Sequence, residues 1–194
     1  MVRGKWEANV KNIFLTYLIF ITAFTFTGCS FKDSFSQEPP EIIITVDNQT
    51  IDYVVGKNKW NGGVYDREDT LKSIMKVDSK IVVPYIKLDK MLNIEFKQNP
   101  PKTIEIFDYL LNENGETKYD DKTKIQIPVK LKDGKCSFEF TKNMVAGLSS
   151  NSEDYKAGKT LRGFKVTCRW GNNDRANECE YGFIIRTDSG FRGE

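Results

Sequence analysis

From Glu41 to Thr187 the sequence is a succession of short segments in which apolar residues recur at every second position, and the segments are separated by turn-forming dipeptides. A period of two belongs to the β-strand, where successive side chains point to opposite faces. The clearest segments are the last two. Phe164, Val166, Cys168 and Trp170 share one strand face, as do Cys179, Tyr181, Phe183 and Ile185 on the next arm, with a loop centred on Asn173-Asp174 between them. Upstream, Asn114-Gly115 follows "TIEIFDYLL", and Asp133-Gly134 separates "KIQIPVKL" from "KCSFEF", two strong turn signals. "KIVVPYIKL" reads as a strand with Pro84 at an edge or bulge, and "MLNIEF" as the strand after it. A chain patterned this way folds as an antiparallel sandwich.

The segment before residue 80 has its own pattern. Ile42, Ile44 and Val46 alternate, "DNQ" interrupts, and Ile51, Tyr53 and Val55 resume, which predicts a β-hairpin closed by Gly56. In "REDTLKSIMK", Leu71, Ile74 and Met75 lie at helical spacing behind acidic residues suited to a helix start, so a short helix is expected over about 68–76. The expected fold is mainly β: an antiparallel sandwich over 80–188, preceded over 41–79 by a hairpin, an aromatic loop and one short helix. The tail "SGFRGE" is expected to fray.

Residues 1–28 stand apart. Arg3, Lys5 and Lys11 precede a continuous apolar run from Ile13 to Phe26. A helix crossing a bilayer needs roughly 20 apolar residues, whereas a run of about 7 to 15 behind a positive leader has the size of a signal-peptide core. The run ends in Phe26-Thr27-Gly28-Cys29, which resembles the lipobox of bacterial lipoproteins, with Phe26 where leucine is usual. The resemblance implies that Cys29 is lipidated and becomes the new N-terminus. Simple secretion and a retained membrane anchor are the other readings of the same run. Residues 29–40 then join lipid to domain as a polar tether ending in Pro39-Pro40. The implied location is the extracytoplasmic face of the cell membrane, and Ser30 rather than Asp after the cysteine implies no retention at a Gram-negative inner membrane.

The seven strand segments over 80–188 match an immunoglobulin-like module in number and spacing. With the aromatic alternation of the final hairpin, they resemble Ig-like modules of uncharacterised Gram-positive surface lipoproteins, a resemblance that implies no activity.

Charge and composition exclude several classes. The chain has 29 basic and 27 acidic residues; removing three basic residues and Glu7 with the leader leaves 26 of each. A neutral mature chain offers no basic stripe for nucleic acid. The sequence contains no histidine, which removes Ser-His and Cys-His nucleophile pairs and the usual zinc ligand sets. No cofactor or metal is implied. An enzyme is therefore not expected, and the mature domain reads as a binding or structural module.

Three features remain as candidate chemistry. Cys136, Cys168 and Cys179 all fall on core faces, and in the register that pairs Phe164 with Phe183, Cys168 lies opposite Cys179, within reach of a disulfide. The alternative is three buried thiols acting as small hydrophobes. Asp66, Glu68 and Asp69, and separately Asp120 and Asp121, could supply calcium ligands or a hydrolase carboxylate pair, but a solvated helix start and a turn are the expected explanation of the two groups. In "KWNGGVYDRED", Trp60 and Tyr65 flank a glycine pair, either as a loop that stacks on a glycan or protein partner, or with Trp60 folded back as a lid over the sheet. The lid is the expected arrangement. A carbohydrate- or peptidoglycan-binding accessory and a small carboxylate-dependent hydrolase remain the alternatives to a simple binding module.

Overall fold

The computed structural model describes residues 38–66, 70–76, 79–172 and 176–191. Cys29 and the apolar run before it lie outside the described residues, as do Glu68 and Asp69.

The domain is mainly β, with two antiparallel sheets facing each other across one core. Strands β1 (Ile42–Val46), β2 (Gln49–Ile51), β5 (Lys90–Phe96) and β8 (Lys135–Phe140) form the smaller sheet in the order β2-β1-β5-β8. Strands β3 (Val54–Trp60), β4 (Gly63–Tyr65), β6 (Thr103–Leu111), β7 (Ile125–Ile127), β9 (Thr160–Trp170) and β10 (Asn177–Thr187) form the larger one in the order β4-β3-β10-β9-β6-β7. Two features of this order are informative. With β1, β5 and β8 on one side and β6, β9 and β10 on the other, the chain follows the strand order of an immunoglobulin-type sandwich, with β7 extending the second sheet beyond β6. The first strands are built into both sheets: β1 lies inside the smaller sheet, and β3 pairs antiparallel with β10.

That placement shortens the expected N-terminal hairpin. β1 and β2 pair around a turn at Asp47, which adopts φ 50°. The chain then leaves the smaller sheet, and the residues that resume the alternation, from Val54 on, pair with β10 in the other. Alternation reports which residues face the core; it does not report which sheet receives them. Tyr53 marks the crossing, its ring edge-on to Tyr181 at 5.7 Å and its hydroxyl accepting the Ile42 N–H at 3.2 Å. Tyr181 in turn donates to the Pro40 carbonyl at 2.7 Å, so two tyrosines grip the chain where it enters the fold.

Of two other expected strands, one is absent and one is cut short. Residues 80–88 run as an extended strap beside β10, with a single parallel bridge at Tyr85 and Arg186 and hydrogen bonds from Ile86 N–H to the Arg186 carbonyl and from Arg186 N–H to the Pro84 carbonyl. Pro84 has no N–H, so a continuous ladder cannot form through it. β7 likewise ends at Ile127, directly before Pro128, and the chain crosses to the other sheet before turning at Asp133 and Gly134.

The helix α1 (Thr70–Ile74) lies on the outer face of the larger sheet. Its close approach depends on glycine, since a Cβ on Gly56 or Gly182 would stand 2.3 or 2.6 Å from Thr70 side-chain atoms. Leu71 and Ile74 thereby complete a second small core with Tyr109, Leu111, Leu161 and Ile184. The main core carries Phe164 stacked on Phe183 at 4.8 Å. Within the tail that was expected to fray, the Phe191 ring lies against Gly147, with the Lys142 ammonium 4.8 Å from its centroid. Among the described residues no helix is long and apolar enough to cross a membrane.

Candidate functional site

The final hairpin has the expected register, with Phe164 opposite Phe183 and Cys168 opposite Cys179. Cys136, Cys168 and Cys179 are free and buried in this structure. Burial pushes the Cys136 thiol up to about 11 and that of Cys179 to about 12; it raises Cys168 as well, with the neighbouring Cys179 and Cys136 adding to the effect. A thiol is nucleophilic only as thiolate, so none of the three is poised for covalent chemistry.

Trp60 is 5 % exposed, within the main core, and packs edge-to-face on Trp170 at 4.9 Å. Its face is therefore unavailable to a sugar. Asn61 (φ 49°) and Gly62 (φ 84°) form a two-residue turn joining β3 to β4, and Tyr65, 53 % exposed, sits on that outer strand. Asn-Gly between alternating residues is the strongest short hairpin signal, and it is what draws Trp60 inward and leaves Tyr65 outside. The structure thus separates the two aromatics that the sequence grouped. Asp66 pairs with Lys57 at the surface, and Asp120 accepts the Lys122 N–H within a local turn. Among the described residues no group of three His, Cys, Asp or Glu side chains could hold a metal ion.

A different place gathers functional groups. β6 ends at Leu111, opposite Leu161 of β9, and residues 141–159, which link β8 to β9, fold over that end in two 3₁₀ turns, Met144–Leu148 and Ser152–Tyr155. The link is held from below by a buried ion pair. Arg162 Nη2 donates to Asp108 Oδ2 at 2.6 Å and Nε to Oδ1 at 3.2 Å, with the two side chains 4 % and 2 % exposed. Arg162 Nη1 reaches on to the Thr141 carbonyl, and Asn143 donates to Asp108 at 2.8 Å while accepting the Val145 N–H at 2.9 Å. Charge-assisted bonds of this kind are directional. They fix where the link begins.

Its far half is fixed too. Asn151 accepts the Glu153 N–H, Tyr155 donates to the Ser149 carbonyl, and Asp154 takes both the Ser149 hydroxyl and the Lys118 ammonium. Between this wall and the strand ends lies a cleft of about 180 Å³. Leu110, Leu111, Ala146 and Leu161 supply its apolar lining; Glu113, Lys118, Asp154 and Lys159 supply its charges. Two of these carboxylates are shifted. Glu113 is held below the usual range by its bidentate bond to Arg186, at 2.9 and 2.8 Å. Burial alone would raise Asp154, but the bonds from Lys118 and Ser149 outweigh it and hold it low.

Sequence reading missed this site, although one signal was present. Asp108 falls on the same strand face as Ile106 and Leu110, and Arg162 on the face of Phe164 and Val166. A single charge on the apolar face of each of two strands is a pair waiting for register.

No family model matches the chain, nor does any curated protein or solved structure.

Proposed function

We propose that the protein is a lipid-anchored lipoprotein of the extracytoplasmic face whose β-sandwich acts as a non-enzymatic binding module. The observation that carries this reading is the 14-residue apolar run from Ile13 to Phe26 that ends at Cys29 behind three basic residues, the size of a cleavable signal core rather than a span. Acyl chains on Cys29 would contribute about 0.8 kcal/mol per buried CH₂, and more than one chain anchors stably. The ten residues between Cys29 and Pro40 would then tether the sandwich near the membrane.

Two observations weigh against the alternatives. A glycan platform built on Trp60 lacks an accessible indole face. A glycosidase needs one carboxylic acid with a raised pKa to protonate the leaving group, whereas the two carboxylates lining the cleft are both held low and are already paired. The test is metabolic labelling with a fatty acid in cells that express the protein or its Cys29→Ser variant. The parent should take up label and sediment with membranes, and the variant should do neither. Label retained on the Ser variant would sink the anchor.

A further inference from the structure

One charge in the cleft is left unanswered. Lys118 is paired with Asp154 and Glu113 with Arg186, but Lys159, on the same lining, has no hydrogen-bonded or ion-paired side-chain partner among the described residues and acts on Glu113 only through its field. Leu110, Leu111, Ala146 and Leu161 lie in the lining beside it. We propose that the cleft binds the C-terminal residue of a peptide, with the α-carboxylate on the Lys159 ammonium and a small aliphatic side chain on the leucines.

Size limits the ligand to about one residue. The cleft offers a volume of about 180 Å³. Pockets for larger ligands start near 300 Å³. Capture of a chain end by its carboxylate is a recurring mode of peptide recognition.

The wall is prepared before any ligand arrives. A 19-residue link is longer than compact domains usually tolerate without a function, and this one is held at its start by Arg162 and Asn143 and further on by Asn151, Tyr155 and Asp154. Preorganisation of this kind lowers the cost of binding. The cleft also lies toward the opposite end of β9 from Ile42, near which the described chain enters. Eight residues of β9 separate Arg162 from Trp170, about 26 Å at roughly 3.3 Å per residue, and Trp170 packs against Phe96, which is opposite Ile42 where the chain enters. The proposal deepens the binding-module reading and rests on it.

The test uses the full-length protein purified from membranes in detergent, titrated with N-acetyl-Ala-Leu as free acid and as C-terminal amide and followed by ligand-observed NMR. The acid should bind at least about tenfold more tightly than the amide, a difference of about 1.4 kcal/mol. Lys159→Met should remove that preference with the circular dichroism spectrum unchanged, and Lys156→Met, outside the cleft lining, should keep it. Equal binding of acid and amide, an unchanged preference in Lys159→Met, or no saturable binding would overturn the proposal. So would inorganic phosphate competing as well as the peptide acid, since that marks a simple anion site. Cleavage of the peptide during the titration would instead overturn the non-enzymatic reading.

Discussion

At the end of the sandwich where the chain enters, Trp60, Trp170 and Phe96 close the space between the sheets with ring edges against ring faces, and Trp170 Nε1 finds the Asn99 carbonyl at 2.7 Å. At the other end the same task falls to Asp108, Arg162 and Asn143, with the Arg162 guanidinium 4.3 Å from the centroid of the Phe140 ring. Aromatic burial is roughly proportional to area and tolerant of direction. A buried ion pair is not. It gains little net stability over apolar packing of equal volume, yet it is costly to leave half made. The aromatic end is therefore suited to closing the core, and the charged end to setting the position of a loop that builds a cleft.

Substitutions at the two ends should break this comparison in different ways. Trp60→Ala is expected to cost about 3 to 5 kcal/mol, as loss of a large buried aromatic does, with no change in the proteolysis of residues 141–159 until the whole domain unfolds. A chemical denaturation curve coinciding with that of the parent would show that Trp60 does not close this end. Asp108→Ala should cost a similar amount, about 3 to 5 kcal/mol, because Arg162 would stay buried without its partner. Its signature is different: limited proteolysis should cut within 141–159 under conditions where the parent and Trp60→Ala resist. The double replacement Asp108→Leu with Arg162→Met should recover most of the stability while the link remains sensitive to protease. Recovery of both together would mean that the ion pair does not position the link.

The smallest effect sharpens the comparison through pH. Glu113 and Asp154 both titrate lower in the folded protein than their ordinary values of 4.5 and 3.8. Groups of this kind contribute stability that is present above the unfolded pKa and is lost as pH falls through the folded one. The melting temperature should therefore drop as the pH is lowered from about 4.5, and Glu113→Gln should flatten part of the drop. Because Glu113 is mostly exposed, the change at neutral pH should stay under about 1 kcal/mol. An unchanged acid limb in Glu113→Gln would remove the Arg186 pair from the account.

How far the sequence foretold these two ends differs as well. The period-two pattern of β9 and β10 was legible down to the facing of Cys168 and Cys179, because an 11-residue strand on each side leaves one register that buries both apolar faces. Trp60 was legible as a lid for a related reason. The partition of strands between sheets was not, since Val54 and Val55 alternate equally well with either partner. Residues 80–88 and 128–131 were over-read because apolar content was weighed above the missing N–H of Pro84 and Pro128. The cleft was hidden for a different cause. "TKNMVAGLSSNSEDYKAGK" carries no period, and its order comes from hydrogen bonds to Asp108 and Arg162, distant in the chain.

The grip of Tyr181 and Tyr53 on Pro40 and Ile42 has a mechanical consequence. β1 lies between β2 and β5, antiparallel to both, and the chain leaves it at the Ile42 end. Tension applied to residue 39 along the strand would pull β1 lengthwise, so its ladder bonds on both sides would be loaded together in shear instead of being unzipped one after another. The tyrosine hydroxyls stand ahead of that ladder and would take the strain first. A pull that entered through an interior strand in this way would meet the ladder bonds of two neighbours at once, and the links at the far end, including the cleft, would be the last to feel it.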